Sequence, residues 1–416
     1  MDQRSLVYDW NLEGERRAPS RPDIELDDET LRDGLQSPSV RAPSIDEKLE
    51  ILHYIAELGI QSANIGLPGA GEQVKRDVLA LAREIRDHRL GVFPNCAART
   101  LRVDIDPIID ASDTAGLPIE VAVFIGSSPI RQYAEDWSLE RMLQQSVEAV
   151  GYAVARGLPV MYVTEDTTRA RPETLRSLYT AAIEAGAGRI CLADTVGHAT
   201  PEGVWNLVTF VKAVVADTKR EVKIDWHGHN DRGLGLINSI MAAYAGVDRV
   251  HGTALGIGER VGNTSIDALL VNFKLLGWID SDLTGLGPYC DLVAAATGTV
   301  IPPSYPVLGQ DAFRTATGVH AAAVIKAMRK GDQWLANRVY SGVPAEYFGR
   351  SQTIEIGPMS GQSNVIFWLE VRGIAPQPDL VETIFTACKQ ANRLLAEEDV
   401  LALVQEWQGA GATSRA

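Results

Sequence analysis

Two short segments of the chain carry the residue types that most strongly indicate chemistry. The first, TLRDGLQ at residues 30–36, has an arginine beside a carboxylate, and the second, HGHND at residues 227–231, has two histidines at alternate positions. Because alternate side chains of a β-strand face the same side, His227 and His229 can bind one ion. With Asp33 they form a set of two histidines and one carboxylate, which leaves coordination positions open for a substrate. The sequence therefore predicts a metal-dependent enzyme.

The donor types of this set indicate which metals it would bind. Nitrogen and oxygen ligands with open water positions suit a divalent ion such as Mg, Mn, Co or Zn. Asn263, in the segment GERVGN at residues 258–263, is a candidate for a further ligand or for a residue that supports the ligands. It would serve equally well as the cap of a following helix.

Short apolar runs alternate with longer helical patterns from residue 23 to about residue 276. The candidate strands are residues 23–32, 62–67, 90–95, 119–125, 160–164, 189–193, 222–226 and 249–255. Candidate helices between them include residues 45–58, 72–87, 139–156, 172–185 and 201–216. Eight such units in about 250 residues are typical of a (β/α)8 TIM barrel. An open doubly wound sheet that bound a dinucleotide would need a glycine-rich phosphate loop after its first strand, and residues 25–36 have none.

The polar candidates follow the predicted strands closely. They are Asp33 after the first strand, Asn95 and Arg99 after the third, Glu165 after the fifth, Thr195 after the sixth, His227 and His229 at the end of the seventh, and Asn263 after the eighth. These C-terminal strand ends form the face that carries catalysis in a TIM barrel, so we expect the side chains to surround one cavity.

The composition is that of an ordinary globular protein, with 45% hydrophobic and 22% charged residues among 416. A formal net charge of −15 argues against a nucleic acid or an anionic membrane as partner, because both require a basic surface. The four cysteines lack any paired spacing, which indicates free thiols in a reducing compartment and hence the cytoplasm. Changes in residue composition and in the hydrophobic pattern along the chain predict three parts. They are an N-terminal extension over residues 1–22, a catalytic barrel over 23–280 and a smaller mixed α/β and helical region over 281–416.

Four motifs in the same order resemble one enzyme group. DETLRDGLQ at residues 28–36, ADTVG at 193–197, HGHND at 227–231 and GIGERVGN at 256–263 are similar to motifs of the DRE-TIM metallolyase superfamily, and more narrowly of its isopropylmalate, homocitrate and citramalate synthases. The resemblance implies a condensation of acetyl-CoA with a 2-oxo acid, followed by hydrolysis of the thioester. The product would be a 2-hydroxy-2-alkyl dicarboxylic acid of the isopropylmalate, homocitrate, citrate or phosphonomethylmalate type.

The resemblance also implies roles for individual residues. A divalent metal held by Asp33 and the two histidines would bind the 2-oxo acid, and Arg32 would stabilise negative charge that develops on oxygen. Thr195 would hydrogen-bond the substrate carboxylate. Gln36, grouped with it among the substrate-binding residues, would support the metal shell, and a plain turn residue is the alternative for Gln36. Glu165 matches an acidic position of the proton-transfer network.

Two residues beyond the barrel complete the resemblance. His320, in GVH at residues 318–320, and Tyr340, upstream of FGR at 348–350, match residues that in this group reach the active site of the partner subunit. They are the candidates for deprotonating acetyl-CoA, and the implied assembly is a homodimer with swapped C-terminal regions. Without the resemblance, a single histidine in a helix of small residues is more often structural.

One departure from the family pattern concerns the substrate. Homocitrate synthases carry an arginine for the distal carboxylate of 2-oxoglutarate at the position of Met161, and a thioether cannot replace a guanidinium. The acceptor is therefore expected to be a branched 2-oxo acid, pyruvate, oxaloacetate or an analogue such as phosphonopyruvate. Arg99 is a candidate for binding a distal anionic group of the acceptor, or the phosphates of CoA.

The nearest alternative is a 3-hydroxyacyl-CoA lyase of the hydroxymethylglutaryl-CoA lyase type. Leu35 favours it slightly, because the sequence RDGLQ also occurs there. Against it, that family places a catalytic cysteine in a loop after the last strands, and residues 253–263 contain none. A non-haem iron oxygenase would use a similar triad, but such triads normally lie on β-sandwich barrels.

Overall fold

The computed structural model describes residues 6–13 and 19–413. The chain divides into two compact units, one up to residue 300 and one from residue 301 onward. Of the expected N-terminal extension, residues 1–5 and 14–18 lie outside the described part, and Trp10–Leu12 form one short 3-10 turn. Among the described residues, no helix has the length and apolarity needed to cross a membrane.

Eight parallel strands of the first unit pair in chain order and close into a barrel. They are β1 (Glu25–Asp28), β2 (Ser62–Asn64), β3 (Phe93–Arg99), β4 (Glu120–Gly126), β5 (Val160–Glu165), β6 (Arg189–Asp194), β7 (Lys223–Gly228) and β8 (Arg249–Gly252). The helices of this unit are α1 (Ile45–Glu57), α2 (Glu72–His88), α3 (Arg102–Ala115), α4 (Pro129–Glu135), α5 (Leu139–Ala155), α6 (Pro172–Glu184), α7 (Pro201–Thr218), α8 (Gly235–Ala245), α9 (Ile266–Leu275) and α10 (Leu286–Thr297). The predicted (β/α)8 barrel is confirmed.

The sequence signals explain how the outer helices begin and which face they bury. Ser44 caps α1, because its hydroxyl accepts a hydrogen bond from the Glu47 amide while the Glu47 carboxylate accepts one from the Ser44 amide. Such a cap contributes about 1 kcal/mol to stability. The helix then buries Ile51, Leu52 and Ile55. Ile55 follows the other two by four and three residues, so all three side chains lie on one face of the helix.

Four strands differ from the sequence-based prediction by three or more residues at one end or both: β2 ends at Asn64 rather than at residue 67, β8 ends at Gly252 rather than at residue 255, and β1 and β3 also differ. Strand β1 ends at Asp28 rather than at residue 32, because the chain then turns through a 3-10 helix at Gly34–Gln36. Strand β3 runs from Phe93 to Arg99, so the prediction that Asn95 follows it is wrong. Asn95 lies inside the barrel instead, where its amide donates to Asp27 at 2.8 Å.

The first unit extends past residue 280 because α10 packs back onto the beginning of the barrel. The hydroxyl of Tyr289 donates to Asp28 at 2.5 Å and lies 3.2 Å from the hydroxyl of Thr30. All three side chains are buried. A buried carboxylate must have such partners, so this helix is part of the barrel's own core.

Charged side chains fill the end of the barrel opposite the C-terminal strand ends. Arg249 of β8 is 1% exposed and donates to Asp225 at 2.8 Å, to Glu120 at 2.8 Å and to Ser62 at 3.1 Å. Arg189 of β6 also pairs with Asp225, at 2.5 Å. Because these guanidinium groups are saturated by partners, this end is a closed floor and the cavity opens at the other end.

The second unit is mainly helical. It contains a two-stranded parallel sheet of β9 (Arg314–Thr315) and β10 (Thr353–Ile354), with helices α11 (Gly318–Arg329), α12 (Gln333–Ala336), α13 (Gln362–Val371), α14 (Pro378–Gln390) and α15 (Glu397–Thr413). Its main core forms where α13, α14 and α15 bury apolar side chains, among them Val365, Leu369, Ile384 and Val400.

Candidate active site

The structure brings the three predicted metal ligands together at the C-terminal end of the barrel. The Nε2 atoms of His227 and His229 lie 3.1 Å apart, and Oδ2 of Asp33 is 3.5 Å from the first and 3.8 Å from the second. Donor atoms that each lie about 2.0–2.2 Å from one ion are separated by about this much. Two imidazole nitrogens and a carboxylate oxygen that converge in this way fit a divalent cation.

Asn263 supplies a further oxygen beside these ligands. Its Nδ2 donates to Oδ2 of Asp33 at 2.6 Å, whereas its Oδ1 is buried and has no hydrogen-bond partner among the described residues. An orphaned buried amide oxygen needs a partner, and a cation would provide one. Both roles expected from the sequence, ligand and support for the ligands, are open to this side chain.

A second carboxylate, Glu29, holds the first histidine in place. Its Oε2 lies 2.6 Å from Nδ1 of His227, and its Oε1 accepts from Arg32 at 2.9 Å. Contact at Nδ1 leaves Nε2 of the same ring directed toward Asp33, which is the arrangement that orients metal-binding histidines. Sequence reasoning missed Glu29, although it follows Asp27 at the two-residue spacing that identified the histidine pair.

His251 is a second residue that the sequence-based prediction missed. The register of β1 against β8 places it opposite Asp27, and its Nδ1 lies 3.3 Å from Glu29 while its Nε2 lies 3.0 Å from Asp225. Burial lowers the pKa of His251, but the Glu29 and Asp27 carboxylates outweigh burial and raise it to about 10. His251 therefore lies between carboxylates on both of its ring nitrogens, next to the three predicted ligands, and with Glu29 and His227 it forms a second group of metal-binding type.

The ionisation of two of the predicted ligands, His229 and Asp33, suits metal binding. Burial, together with the neighbouring imidazole of His227, lowers the pKa of His229 to about 4, so its lone pair is free at neutral pH. Burial alone would raise the pKa of Asp33, but Arg32 and His227 outweigh this effect and hold it below the usual value. A neutral imidazole and an ionised carboxylate are the forms that coordinate a cation.

A cavity of about 140 Å³, open at its mouth, adjoins the ligand set. One side is polar and carries Glu29, Arg32, Asp33, Gln36, Thr195, His227 and His229. The part of the lining that comes from β2 to β5 and the residues after them is mainly apolar, with Leu67, Ala97, Ala122, Phe124, Met161 and Val163, and it also includes Asn64 and Glu165 at strand ends. We call these two parts of the lining the polar wall and the apolar wall.

Four of the predicted catalytic and substrate-binding residues line this cavity. Arg32 donates to Asp33 at 2.9 Å, and Gln36 and Thr195 form part of the same polar wall. Glu165 lies at the rim with one third of its side chain exposed, 3.7 Å from Arg131. Burial raises the pKa of Glu165, and the Arg131 charge opposes this shift.

Arg99 lies elsewhere. Its guanidinium makes two hydrogen bonds to the Asp104 carboxylate, at 2.6 and 2.8 Å, and the side chain is not among those that line the cavity. The structure therefore does not bring Arg99 together with the other substrate-binding candidates. A helix that starts three residues later provides the partner, and nothing in the strand-end pattern indicates this pairing.

The two general-base candidates of the second unit lie against each other. His320 is in the first turn of α11, and its ring stacks on that of Tyr340 with centroids 4.2 Å apart and planes inclined by 27°. Tyr340 is about half exposed. The structure thus pairs two titratable groups that are 20 residues apart in sequence, and their catalytic role stays a prediction.

Comparisons with known proteins agree with this architecture. The HMGL-like family model matches residues 23–287. The chain is 34% identical over 371 residues to a probable 2-isopropylmalate synthase of Methanopyrus kandleri, covering 88% of this chain and 69% of that one. It is 33% identical over 365 residues to the homocitrate synthase AksA of the same organism, covering 87% of this chain and 86% of that one.

Solved structures show the fold. An HMG-CoA lyase of Bacillus subtilis superimposes with a TM-score of 0.56 at 20% identity, covering 68% of this chain and 96% of that one. An HMG-CoA lyase crystallised with coenzyme A and 3-methylmalate gives a TM-score of 0.57 at 20% identity, covering 68% and 93%. On the strength of the family model and the sequence relatives, the chain belongs to the HMGL-like family of DRE-TIM enzymes, in the group of the isopropylmalate and homocitrate synthases.

Proposed function

We propose that this enzyme condenses acetyl-CoA with a 2-oxo acid that has an apolar side chain. The observation that carries the proposal is the convergence of Asp33, His227 and His229 beside Arg32, at the open end of a cavity with one apolar wall. In the reaction the methyl carbon of acetyl-CoA forms a bond to the carbonyl carbon of the 2-oxo acid. Water then hydrolyses the thioester and releases free CoA and a second carboxylate.

The polar wall supplies the groups that this reaction needs. A divalent ion bound by the three ligands would act as a Lewis acid toward the carbonyl of the acceptor. Arg32 stabilises the negative charge that develops on the former carbonyl oxygen, because its guanidinium is fixed by Glu29 and Asp33 and is already directed into the cavity. Thr195 binds the acceptor's carboxylate, and Glu165 belongs to the proton-transfer groups at the rim.

The apolar wall supports the choice of acceptor. Met161 and Val163 of β5 and Phe124 of β4 face the cavity, and the thioether of Met161 lies 3.3 Å from Arg249. That guanidinium is already saturated by the carboxylates of the floor, so it is not available to a substrate. A distal anionic group on the acceptor would be desolvated against this wall without a partner, whereas an alkyl side chain gains by burial.

Deprotonation of acetyl-CoA is assigned to His320 and Tyr340 of a partner subunit, in a homodimer with swapped C-terminal regions. Two inactive variants test this assignment when they are mixed. Asp33→Asn lacks a metal ligand and His320→Ala lacks the base, so a mixed dimer has one site with both residues intact. Recovery of activity on mixing supports the shared site. If the mixture stays inactive although its subunits exchange, the swapped arrangement is wrong.

Release of CoA from acetyl-CoA tests the reaction itself. The purified protein is incubated with a divalent metal and a panel of 2-oxo acids with alkyl, carboxylate or phosphonate side chains, and the product is identified by mass spectrometry. We expect release with alkyl acceptors and loss of activity in Asp33→Asn and His227→Ala. The exposed His198 provides the matched control, because His198→Ala leaves the ligand set intact. Cleavage of a 3-hydroxyacyl-CoA, with no release of CoA for any acceptor, would overturn the proposal in favour of a lyase.

A further inference from the structure

Three side chains of metal-binding type also meet on the outer helical layer of the barrel. His53 lies on α1, and Glu84 and His88 lie on α2. Oε1 of Glu84 is 2.7 Å from Nε2 of His53 and 3.3 Å from Nε2 of His88. The two imidazole rings have centroids 5.3 Å apart and are inclined by 79°. Two nitrogens and one oxygen from facing helices thus point to a common space.

The sequence and the packing of the two helices both produce this cluster. Glu84 and His88 are four residues apart, so they share one face of α2. Lys48 of α1 forms an ion pair with Asp77 of α2 at 2.7 Å, and both side chains are about 90% buried. This second contact fixes the register of the two helices, so the three candidate ligands are held near each other by the fold itself.

The geometry suits a small transition-metal ion. All three ligand atoms lie within 4.8 Å of one another. Around a tetrahedral zinc ion, donors at about 2.0–2.1 Å would be about 3.3 Å apart, which is the separation of Glu84 from His88. His53 lies closer to Glu84, but 42% of its side chain is exposed and the ring can rotate outward. Mg²⁺ does not fit, because it prefers oxygen ligands.

We propose that His53, Glu84 and His88 form a second metal site, of the zinc type, that joins α1 to α2 on the outside of the barrel. Three protein ligands would leave one position for water. This site is independent of the proposed reaction, since none of its residues lines the catalytic cavity. An ion bound there would hold the first two helices of the barrel together and so raise the stability of the folded chain.

Zinc titration in a background without the first site tests this proposal. The variant His227→Ala, or Asp33→Asn if the first folds poorly, removes a ligand of the catalytic set. In competition with a chromogenic chelator we expect this variant to retain one equivalent of Zn²⁺ per chain. Adding His53→Gln and His88→Gln removes that equivalent. Zinc should raise the thermal unfolding midpoint of the parent variant but not that of the triple variant.

Two results would overturn the site. One is a His227→Ala or Asp33→Asn chain that folds but retains no zinc, which would make the cluster an ordinary hydrogen-bonded contact. The other is a triple variant that binds zinc as strongly as its parent, which would place the ion elsewhere. The variant His53→Gln/His88→Gln in the otherwise natural chain is the control for catalysis, and it should release CoA from acetyl-CoA at the natural rate.

Discussion

Replacing Glu29 by glutamine should weaken divalent-metal binding although Glu29 is not a ligand. Its carboxylate lies 2.6 Å from Nδ1 of His227 and orients the ring that presents Nε2 to the ion. Losing such an oriented partner typically costs about 10- to 100-fold in metal affinity, or roughly 1.4–2.7 kcal/mol. Glutamine keeps the shape of the side chain but loses its charge, so the substitution isolates the electrostatic part of the effect.

The same substitution should change the ionisation of His251. Glu29 contributes to the raised pKa of about 10 that this buried imidazole has, together with Asp27. Removing the Glu29 charge lowers the pKa, and NMR titration of the imidazole signals measures the shift. Two independent readouts, metal affinity and the His251 pKa, therefore follow from one substitution.

The preceding residue provides a matched control. Asp28→Asn also neutralises one buried carboxylate, but Asp28 faces Tyr289 and the helical layer instead of the metal ligands. Isothermal titration of both variants with Mn²⁺ or Zn²⁺ should show weaker binding only for Glu29→Gln. Equal losses in the two variants, or unchanged affinity in Glu29→Gln, would refute the assignment of Glu29 as the residue that orients His227.

Buried charges and one tight loop give three further tests. Burial raises the pKa of Asp28 to about 6, so ionisation costs the folded state more than the unfolded chain. The free energy of unfolding should therefore fall by roughly 2 kcal/mol between pH 4 and 7, a dependence that Asp28→Asn removes in denaturant melts. Arg249→Met leaves buried carboxylates without their main partner and should cost about 3–5 kcal/mol in urea unfolding. Gly262 has φ +96°, and a Cβ there would lie 1.8 Å from the carbonyl oxygen of Gly256, so Gly262→Ala should displace Asn263 and weaken metal binding in the titration used for Glu29.

The barrel and the convergence of Asp33, His227 and His229 could be predicted because they depend on local patterns. Apolar runs separated by helical patterns identify the strands, and polar residues at strand ends identify the catalytic face. Alternation along β7 alone is enough to place His227 and His229 on one side. These patterns hold in the folded protein because the alternation of side chains along a strand is a property of its own backbone. It does not depend on which residues the neighbouring strands contain.

Glu29 and His251 could not be identified in the same way, because their roles depend on closure of the barrel. Glu29 directly follows the first strand and His251 belongs to the last, and only the pairing of β1 with β8 sets His251 opposite Asp27. Arg99 shows the opposite case, in which the sequence predicted a contact that the structure does not have. Its charge suggested a substrate contact, but Asp104, a carboxylate at the start of α3, accepts hydrogen bonds from two of its three guanidinium nitrogens. Pairing of side chains depends on loop geometry that strand periodicity does not contain.

The charges inside the barrel connect its closed floor to the proposed metal site. Asp225 accepts from Arg249 at 2.8 Å and lies 3.0 Å from His251, which in turn lies 3.3 Å from Glu29. Glu29 then contacts His227, one of the three proposed metal ligands. Because positive and negative groups alternate along this line, each keeps its neighbour ionised in a region where burial favours the neutral forms. Neutralising Asp225 should therefore lower the pKa of His251 and change the field at the ligands, although Asp225 belongs to the floor. A ligand motif placed on another barrel without this line of charges would lack part of what determines its affinity for the metal.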